Sequence, residues 1–307
     1  MRRFLEWFRR EAPAPREDAD GRRLRHLELT TAKLIREGFT GQFHAAFHGR
    51  GIEFHQLRHY QPGDDIRTID WNVTARSGVP HVKEFIEERD LTIMICLDTS
   101  GSMGFGSVDR RKIDVAVELV SVFAFAANHS RDRVGLVTFG DEIRAHLRPG
   151  RSTQHVQRLV RDAFGAGSRC HGGSDYAVLA EFLSATLKRQ SIVILLTDLL
   201  GGSEPALRPV AFRHDLIVTR ILDPRERAFP SRGIAELEDA ETGERIAVDL
   251  SRAGTSQLFA QVERSLEREA IQSATDVLNL STVRPFDRDL IRFFESRIAR
   301  SSRRIAS

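Results

Sequence analysis

Cysteine, long apolar runs and an excess of charge of one sign are all scarce in this chain. Its 307 residues include only two cysteines, Cys96 and Cys170, which excludes a disulfide framework and favours a reducing compartment. No stretch reaches the roughly 20 apolar residues that a membrane-spanning helix needs. The start also lacks the apolar core of a signal peptide, so we expect a cytoplasmic protein without a transmembrane segment.

Charge is nearly balanced, with 46 basic and 43 acidic residues and a formal net charge of +3. The two signs are interspersed, which is typical of a solvated mixed surface, and we expect no nucleic-acid binding. Residues 1–10 alternate apolar side chains with arginines. This segment fits either a peripheral contact with an anionic membrane or a short helix packed on the protein itself.

Two common catalytic motifs are also missing. No Walker-type phosphate loop is present, so we expect the chain itself not to hydrolyse ATP. Ser100 lacks the leading glycine of a Gly-x-Ser-x-Gly elbow, which argues against a serine hydrolase of that type.

The apolar run of residues 91–97 is followed by Asp98, Ser100 and Ser102. The run has the composition of a buried parallel strand, and a helical pattern begins near residue 109. The carboxylate and the two hydroxyls therefore lie at the carboxyl end of a strand, where open α/β sheets bind their ligands. Oxygen ligands in one tight loop suit a hard cation such as Mg²⁺.

Two further segments carry oxygen-bearing side chains at matching places. Ser174 comes just before a helical pattern that starts at residue 176, and Asp198 follows a second apolar run at 191–197. Since both lie at strand or helix ends of one predicted sheet, we expect them to meet the first loop. The predicted ligands of one Mg²⁺ or Mn²⁺ ion are Asp98, Ser100, Ser102, Ser174 and Asp198.

In this order, Asp-x-Ser-x-Ser, Gly-Gly-Ser-Asp and Leu-Leu-Thr-Asp resemble the metal-ion-dependent adhesion site of von Willebrand factor A domains. The chain departs from the family's usual pattern at Ser174, where threonine is common. The hydroxyl is kept and the methyl group is lost. The resemblance implies a bound divalent cation; the alternative is an inherited scaffold that holds none.

The alternation of strands and helices from residue 91 to about 224 predicts a doubly wound, mostly parallel α/β sheet. We expect its strands near 91–97, 133–139, 142–147, 192–197 and 216–222, with helices near 109–130, 152–164 and 175–190. The tail predicts a hairpin of strands 234–237 and 245–250, a helix near 255–272, a strand near 277–282 and a helix near 287–300.

A small β-rich unit is expected ahead of this sheet. Residues 24–38 have a helical pattern, and from residue 41 to 88 short strands are expected near 49–54, 67–73 and 81–87. The predicted division is an amphipathic start and linker at 1–23, a helix with the β-rich unit at 24–89, the von Willebrand A-like domain at 90–225 and a C-terminal part at 226–307 that completes it.

The β-rich unit carries a second resemblance. Residues 58–71, Arg-His-Tyr-Gln-Pro-Gly-Asp-Asp-Ile-Arg-Thr-Ile-Asp-Trp, followed by Ala75-Arg76, are similar to the signature of the bacterial family named domain of unknown function 58. That family joins such a unit to a von Willebrand A-like domain. Its common gene neighbourhood implies a MoxR-type AAA+ ATPase, or the client of that ATPase, as the partner.

The signature itself has two interpretations. Densely placed charges of both signs can form a hydrogen-bonded network that pins the unit to the sheet. The alternative is a docking surface for a partner. The residues concerned are Asp64, Asp65, Arg67, Asp70 and Trp71.

Together these features favour a non-enzymatic, metal-dependent protein-binding module. A bound Mg²⁺ between two carboxylates keeps a position for an acidic side chain of a partner. The alternative is a metal-dependent hydrolase or phosphatase that uses the same acidic site. Asp98 follows a strand, as the nucleophile of haloacid-dehalogenase-like phosphatases does, but Ser100 stands where those enzymes need a second aspartate.

Overall fold

The computed structural model describes residues 38–48, 53–86, 91–199, 204–227, 234–238, 244–249 and 276–306. The amphipathic segment 1–10, the linker, the helix expected at 24–38 apart from its last residue and the helix expected at 255–272 lie outside these ranges. No helix within the described ranges is long and apolar enough to cross a membrane.

Strands and helices alternate along most of the described chain. The strands are β1 (Glu53–His59), β2 (His81–Ile86), β3 (Thr92–Asp98), β4 (Arg133–Phe139), β5 (Ile143–Gly150), β6 (Ile192–Thr197), β7 (Asp215–Leu222), β8 (Ile234–Glu238), β9 (Arg245–Asp249) and β10 (Asp276–Ser281). The helices are α1 (Phe39–His48), α2 (Trp71–Ser77), α3 (Lys112–His129), α4 (Thr153–Gly167), α5 (Tyr176–Thr186), α6 (Glu204–Arg213), α7 (Pro224–Arg227) and α8 (Asp287–Ala306).

A six-stranded sheet of order β5-β4-β3-β6-β7-β10 forms the centre of the fold. The five strands from β4 to β10 are parallel to one another, and β5 runs antiparallel at the edge. The sheet confirms the predicted mostly parallel α/β fold, and its order is that of doubly wound Rossmann-type sheets. The order reverses between β3 and β6, and such a switch point is where ligands bind in these folds.

Strand β3 shows why the central strands are continuous apolar runs. Its side chains alternate between two separate hydrophobic layers, so that Ile93, Ile95 and Leu97 belong to one and Met94 and Cys96 to the other. Both faces of the sheet are therefore covered, as is usual for parallel sheets. Helix α3, which supplies much of the first layer, is buried over nearly its whole length.

Helix α1 replaces the short turn-linked segments that the sequence predicted from residue 41 onward. Phe39, Phe43 and Phe47 recur at every fourth position and so share one helical face. This face packs on Phe123 of α3 and Phe294 of α8, with ring centroids 5.9 Å apart for Phe43 and Phe123 and 5.5 Å apart for Phe39 and Phe294. Aromatic burial overrides the glycine and histidines that made this segment look irregular.

The β-rich unit contains an antiparallel pair, β1 with β2. Strand β2 lies where a strand was predicted, whereas β1 runs from Glu53 to His59 and overlaps the strand predicted at 49–54 by only two residues. The strand predicted at residues 67–73 is wrong. The Asp70 carboxylate accepts hydrogen bonds from the backbone N–H groups of Asn72 and Val73 and so begins helix α2 there. Gly78, at φ 73°, ends the helix in the left-handed conformation. These caps outweigh the β-propensity of the intervening side chains.

The C-terminal elements follow the sequence prediction where the structure describes them. Strands β8 and β9 form the expected antiparallel hairpin, and β10 adds to the main sheet beside β7. The last helix begins at Asp287, as predicted. Helix α6 was not predicted; it contains Pro209, a residue that is usually unfavourable inside a helix.

Candidate metal-binding site

Three segments of the chain meet at the carboxyl edge of the sheet. Asp98 is the last residue of β3, and Thr197 is the last residue of β6. Because β3 and β6 are parallel neighbours, these two ends lie side by side. Ser174 comes just before α5, whose first turn is capped by the Asp175 carboxylate. The strand order brings the first and third loops together, and the Ser174 hydroxyl joins the second loop to Asp98.

Asp98 is the centre of this cluster. Its carboxylate is wholly buried and accepts a hydrogen bond from the Ser100 backbone N–H at 2.9 Å. The Ser174 hydroxyl lies 2.9 Å from Oδ2 and 3.0 Å from Oδ1 of Asp98. The Thr197 hydroxyl donates to Oδ2 at 2.7 Å. In the described part of the chain, every hydrogen-bond donor to this carboxylate is neutral.

The electrostatic setting of Asp98 follows from these contacts. Burial and the neighbouring charge of Asp198 raise the pKa of Asp98 to about 6, against the smaller lowering effects of hydrogen bonds from Thr197 and Ser100. The ionised carboxylate is thus less stable here than in water. A cation at this carboxylate would offset both causes.

Ser100 and Ser102 occupy the same loop. Their hydroxyl oxygens lie 3.1 Å apart, and both residues are buried. Asp198 follows β6 and is wholly buried as well. Its Oδ2 accepts a hydrogen bond from Lys112 Nζ at 2.6 Å, and its charge acts on Asp98 as described above. Of the predicted ligands, Ser174 and Ser100 both make side-chain hydrogen bonds to Asp98.

Backbone contacts hold the first two loops together. The Gly101 N–H donates to the Gly172 carbonyl at 2.8 Å, and the His171 N–H donates to the Thr99 carbonyl at 3.2 Å. The Arg144 guanidinium donates to the Thr99 and His171 carbonyls at 2.5 Å and 2.6 Å. Gly172 has φ 63°, a conformation that favours glycine. The hydroxyls of the two loops therefore sit on a fixed backbone.

The donor chemistry of this cluster fits Mg²⁺ or Mn²⁺. Asp98 and Asp198 offer carboxylates, and the three serines offer hydroxyls, a ligand set made only of oxygen. Among the described residues, no group of three or more His, Cys, Asp or Glu is placed to share a metal. The candidate ligand set therefore consists of two carboxylates together with serine hydroxyls. Ser174 is half-buried, so the cluster is reachable from solvent.

Sequence reasoning missed three residues of this site. Thr197 bonds Asp98, and its oxygen also lies 2.8 Å from the Tyr176 hydroxyl. Burial, then the charges of the two aspartates, raises the pKa of Tyr176 well above its usual range, so its hydroxyl stays protonated. Lys112 bonds Asp198. Thr197 is part of the Leu-Leu-Thr-Asp motif and could have been identified from it. Lys112 could have been identified as well, because a lysine at the start of a helix is unusual: its positive charge opposes the helix dipole.

The signature of the β-rich unit serves largely as local structure. The Arg58 guanidinium donates to both Asp64 oxygens, at 2.6 Å and 2.7 Å, and the Gln61 N–H donates to Asp64 at 2.9 Å. Asp64 thus closes the turn, and Asp70 caps α2. The Asp65 carbonyl accepts from Thr68 at 2.6 Å. Trp71 is 65% exposed. The side chain of Arg67 lies outside the described residues.

Comparisons with known proteins identify the family. The family described as "Protein of unknown function DUF58" matches residues 56–284. Uncharacterised proteins of Mycobacterium tuberculosis and Mycobacterium bovis are each 32% identical over 282 residues, which cover 89% of this chain and 88% of theirs.

Solved structures with a similar shape are more distant in sequence. The conserved hypothetical protein BatB from Bacteroides thetaiotaomicron is 15% identical, with a TM-score of 0.45 over 68% of this chain and 99% of that one. The SpRpn10 VWA domain is 13% identical, with a TM-score of 0.37 over 66% of this chain and 94% of that one.

Proposed function

This chain belongs to the DUF58 family, with a von Willebrand A-like domain, and we propose that it is a metal-dependent protein-binding module. The proposed ion is Mg²⁺ or Mn²⁺, and the proposed ligands are the two buried aspartates and three serines at the carboxyl edge of the sheet. The proposed setting is the cytoplasm.

One observation carries the proposal. Asp98 is a wholly buried carboxylate whose donors in the described chain are all neutral, and a second buried carboxylate, Asp198, acts on it through its charge. Leaving a buried charge uncompensated is costly. A divalent cation offsets this cost, and the serine hydroxyls around it supply further oxygen ligands.

The chain's residues divide the work of binding. Asp98 and Asp198 balance the charge of the ion, while Arg144 and the paired loop backbones hold the serines in place. When bound, the cation supplies a positive centre that can accept a carboxylate of the partner. Half-buried Ser174 marks the side from which that carboxylate would approach.

The proposed partner is a MoxR-type AAA+ ATPase or its client, in the assembly or maturation of other proteins. The family supports this choice, and the oxygen-only site supports a contact through an acidic side chain. Because a direct bond between metal and carboxylate is little affected by salt, whereas exposed ion pairs are screened, binding should depend on magnesium more than on ionic strength.

The test is capture of a MoxR-type ATPase from the same organism by the full chain, with magnesium, with chelator and at raised salt. Capture should fall with chelator and with Asp98→Ala or Asp198→Ala, and should persist at raised salt. Asp64→Ala is the matched control, a carboxylate removed from the β-rich unit.

Capture that chelator and Asp198→Ala leave unchanged would contradict the proposal and move the contact elsewhere. The turn with Asp64 and Asp65, followed by exposed Trp71, would then be the next surface to examine.

Binding is proposed in preference to catalysis because of the contacts the serines make. The Ser100 and Ser102 hydroxyls bond each other, and within the described residues neither contacts a histidine that would act as a base. A hydrolase or phosphatase at this site remains the alternative, and phosphate release from a general phosphatase substrate measures it.

A further inference from the structure

Lys112 is in an unusual place for a lysine. It is the first residue of α3, and its side chain is wholly buried. A positive charge at a helix N-terminus opposes the helix dipole, and burying an ammonium group removes its hydration. Two unfavourable terms at one residue require a specific compensation.

Two carboxylates provide it. Lys112 Nζ donates to Asp198 Oδ2 at 2.6 Å and also to Glu226 Oε1 of helix α7. Because two carboxylates accept hydrogen bonds from Nζ, the charged ammonium form of Lys112 is the one this pocket stabilises. The lysine is therefore charged in the folded protein.

The Lys112 ammonium group thus forms an ion pair with Asp198, a carboxylate that is also a proposed metal ligand. Asp198 is held from two further directions, since Arg220 Nε donates to its carbonyl at 3.2 Å and β6 fixes its backbone. A divalent cation that uses Asp198 must share this carboxylate with Lys112. Like charges at such short range repel strongly.

We infer that Lys112 is a built-in counter-ion of Asp198 that competes with the divalent cation, and that Glu226 sets the strength of this competition. The inference rests on the proposed function, in that it assigns these two residues to the same site. Glu226 draws the ammonium charge away from Asp198, and Lys112 in turn limits how tightly the site holds its ion.

Three variants separate the charges. Lys112→Met keeps the length of the side chain and removes the repulsion, so the affinity for Mg²⁺ should rise on the order of tenfold or more. Glu226→Gln removes one of the two carboxylates that bind the ammonium group, so that Lys112 interacts more strongly with Asp198. The affinity for Mg²⁺ should then fall by a similar factor. The double variant keeps the net charge of the cluster and should bind within about threefold of the original chain.

Arg297→Met is the matched control. Arg297 is a largely buried cation, with its side chain 12% exposed, and it lies between two carboxylates, Asp215 and Asp276. These residues begin β7 and β10, at the opposite edge of the sheet from the site. The same change of charge there should leave the affinity for Mg²⁺ unchanged, even if it lowers stability.

Calorimetric titration of the full chain with Mg²⁺ is the measurement, with circular dichroism to confirm folding. A mere folding defect would weaken binding, so a gain in Lys112→Met is the specific sign. If Lys112→Met does not fold, Glu226→Gln and the double variant carry the test: loss in the first and recovery in the second support the inference.

The outcomes distinguish this inference from the proposed function. If the original chain binds Mg²⁺ while Lys112→Met binds it no more tightly, or Glu226→Gln binds it no more weakly, the inference falls and the site stands. If the original chain binds no ion and Lys112→Met does, the inference stands and the metal-dependent function falls. If no variant binds, both fall.

Discussion

The Ser174 hydroxyl lies within 3.0 Å of both carboxylate oxygens of Asp98, although 76 positions separate the two residues in the chain. The second loop therefore reaches the centre of the site through this one side chain. Threonine is common at this place in the von Willebrand A pattern, and serine supplies the same hydroxyl with one methyl group fewer.

Substitutions at Ser174 test its part in the site. Ser174→Thr keeps the hydroxyl and should change the affinity for Mg²⁺ by less than about twofold, whereas Ser174→Ala should weaken it roughly fivefold, the worth of about one hydrogen bond. Titration calorimetry measures both. If alanine binds the ion as well as serine does, the second loop is not part of the metal site.

Metal binding should also depend on pH. Burial and Asp198 raise the pKa of Asp98 to about 6 from 3.8, so protons compete with the ion below pH 6. The apparent affinity for Mg²⁺ should fall roughly tenfold for each unit of pH below that value. Calorimetry at pH 5, 6 and 7 measures the effect.

The same shift predicts the opposite trend for the metal-free fold. A carboxyl whose pKa is raised on folding favours the folded state below pH 3.8, and this contribution is lost as the pH rises through about 6. Asp98→Asn should remove this part of the pH dependence of unfolding. An affinity for Mg²⁺ that is flat from pH 5 to 7 would show that Asp98 does not hold the ion.

Much of the fold could be predicted because the central strands are continuous apolar runs, which can be recognised from local sequence. The runs that became β3 and β6 are apolar on both faces, and each ends at an aspartate, so the site's first and third loops were visible. Residues 67–73 misled the prediction, since their apolar side chains suggest a strand while Asp70 caps a helix. Local patterns do not tell which of two such signals prevails.

The ion pairs of the site could not be predicted in the same way. Lys112 and Asp198 are 86 positions apart, and their contact depends on how α3 and β6 pack. Thr197 belongs to the Leu-Leu-Thr-Asp motif, but its hydrogen bond to Asp98 depends on the parallel pairing of β3 with β6, which places the two side chains next to each other.

The aromatic cluster beneath α1 should contribute strongly to stability. Phe294 is 1% exposed and its ring meets those of Phe39 and Phe43, so Phe294→Ala should cost about 3–5 kcal/mol of unfolding free energy. Phe212 is 93% exposed, and Phe212→Ala is the matched control with little expected effect. Urea unfolding compares them; equal losses would mean that α1 does not pack as described.

The turn of the β-rich unit depends on Arg58. Its hydrogen bonds, with one from Gln61, hold the pKa of Asp64 at about 2, so the pair supports the turn above pH 3.8 and loses this support as the pH falls through about 2. Arg58→Met should raise the pKa of Asp64 toward its ordinary value. Carboxyl NMR titration reads this out, and an unchanged pKa would argue against the network.

The central claim is that Asp98 anchors a divalent cation. The most direct measurement is calorimetric titration of the full chain and of Asp98→Ala with Mg²⁺, with Asp64→Ala as the control that removes a carboxylate elsewhere. The account predicts binding of one ion by the original chain and by Asp64→Ala, and none by Asp98→Ala, with all three folded. Equal affinity of the original chain and Asp98→Ala would contradict it.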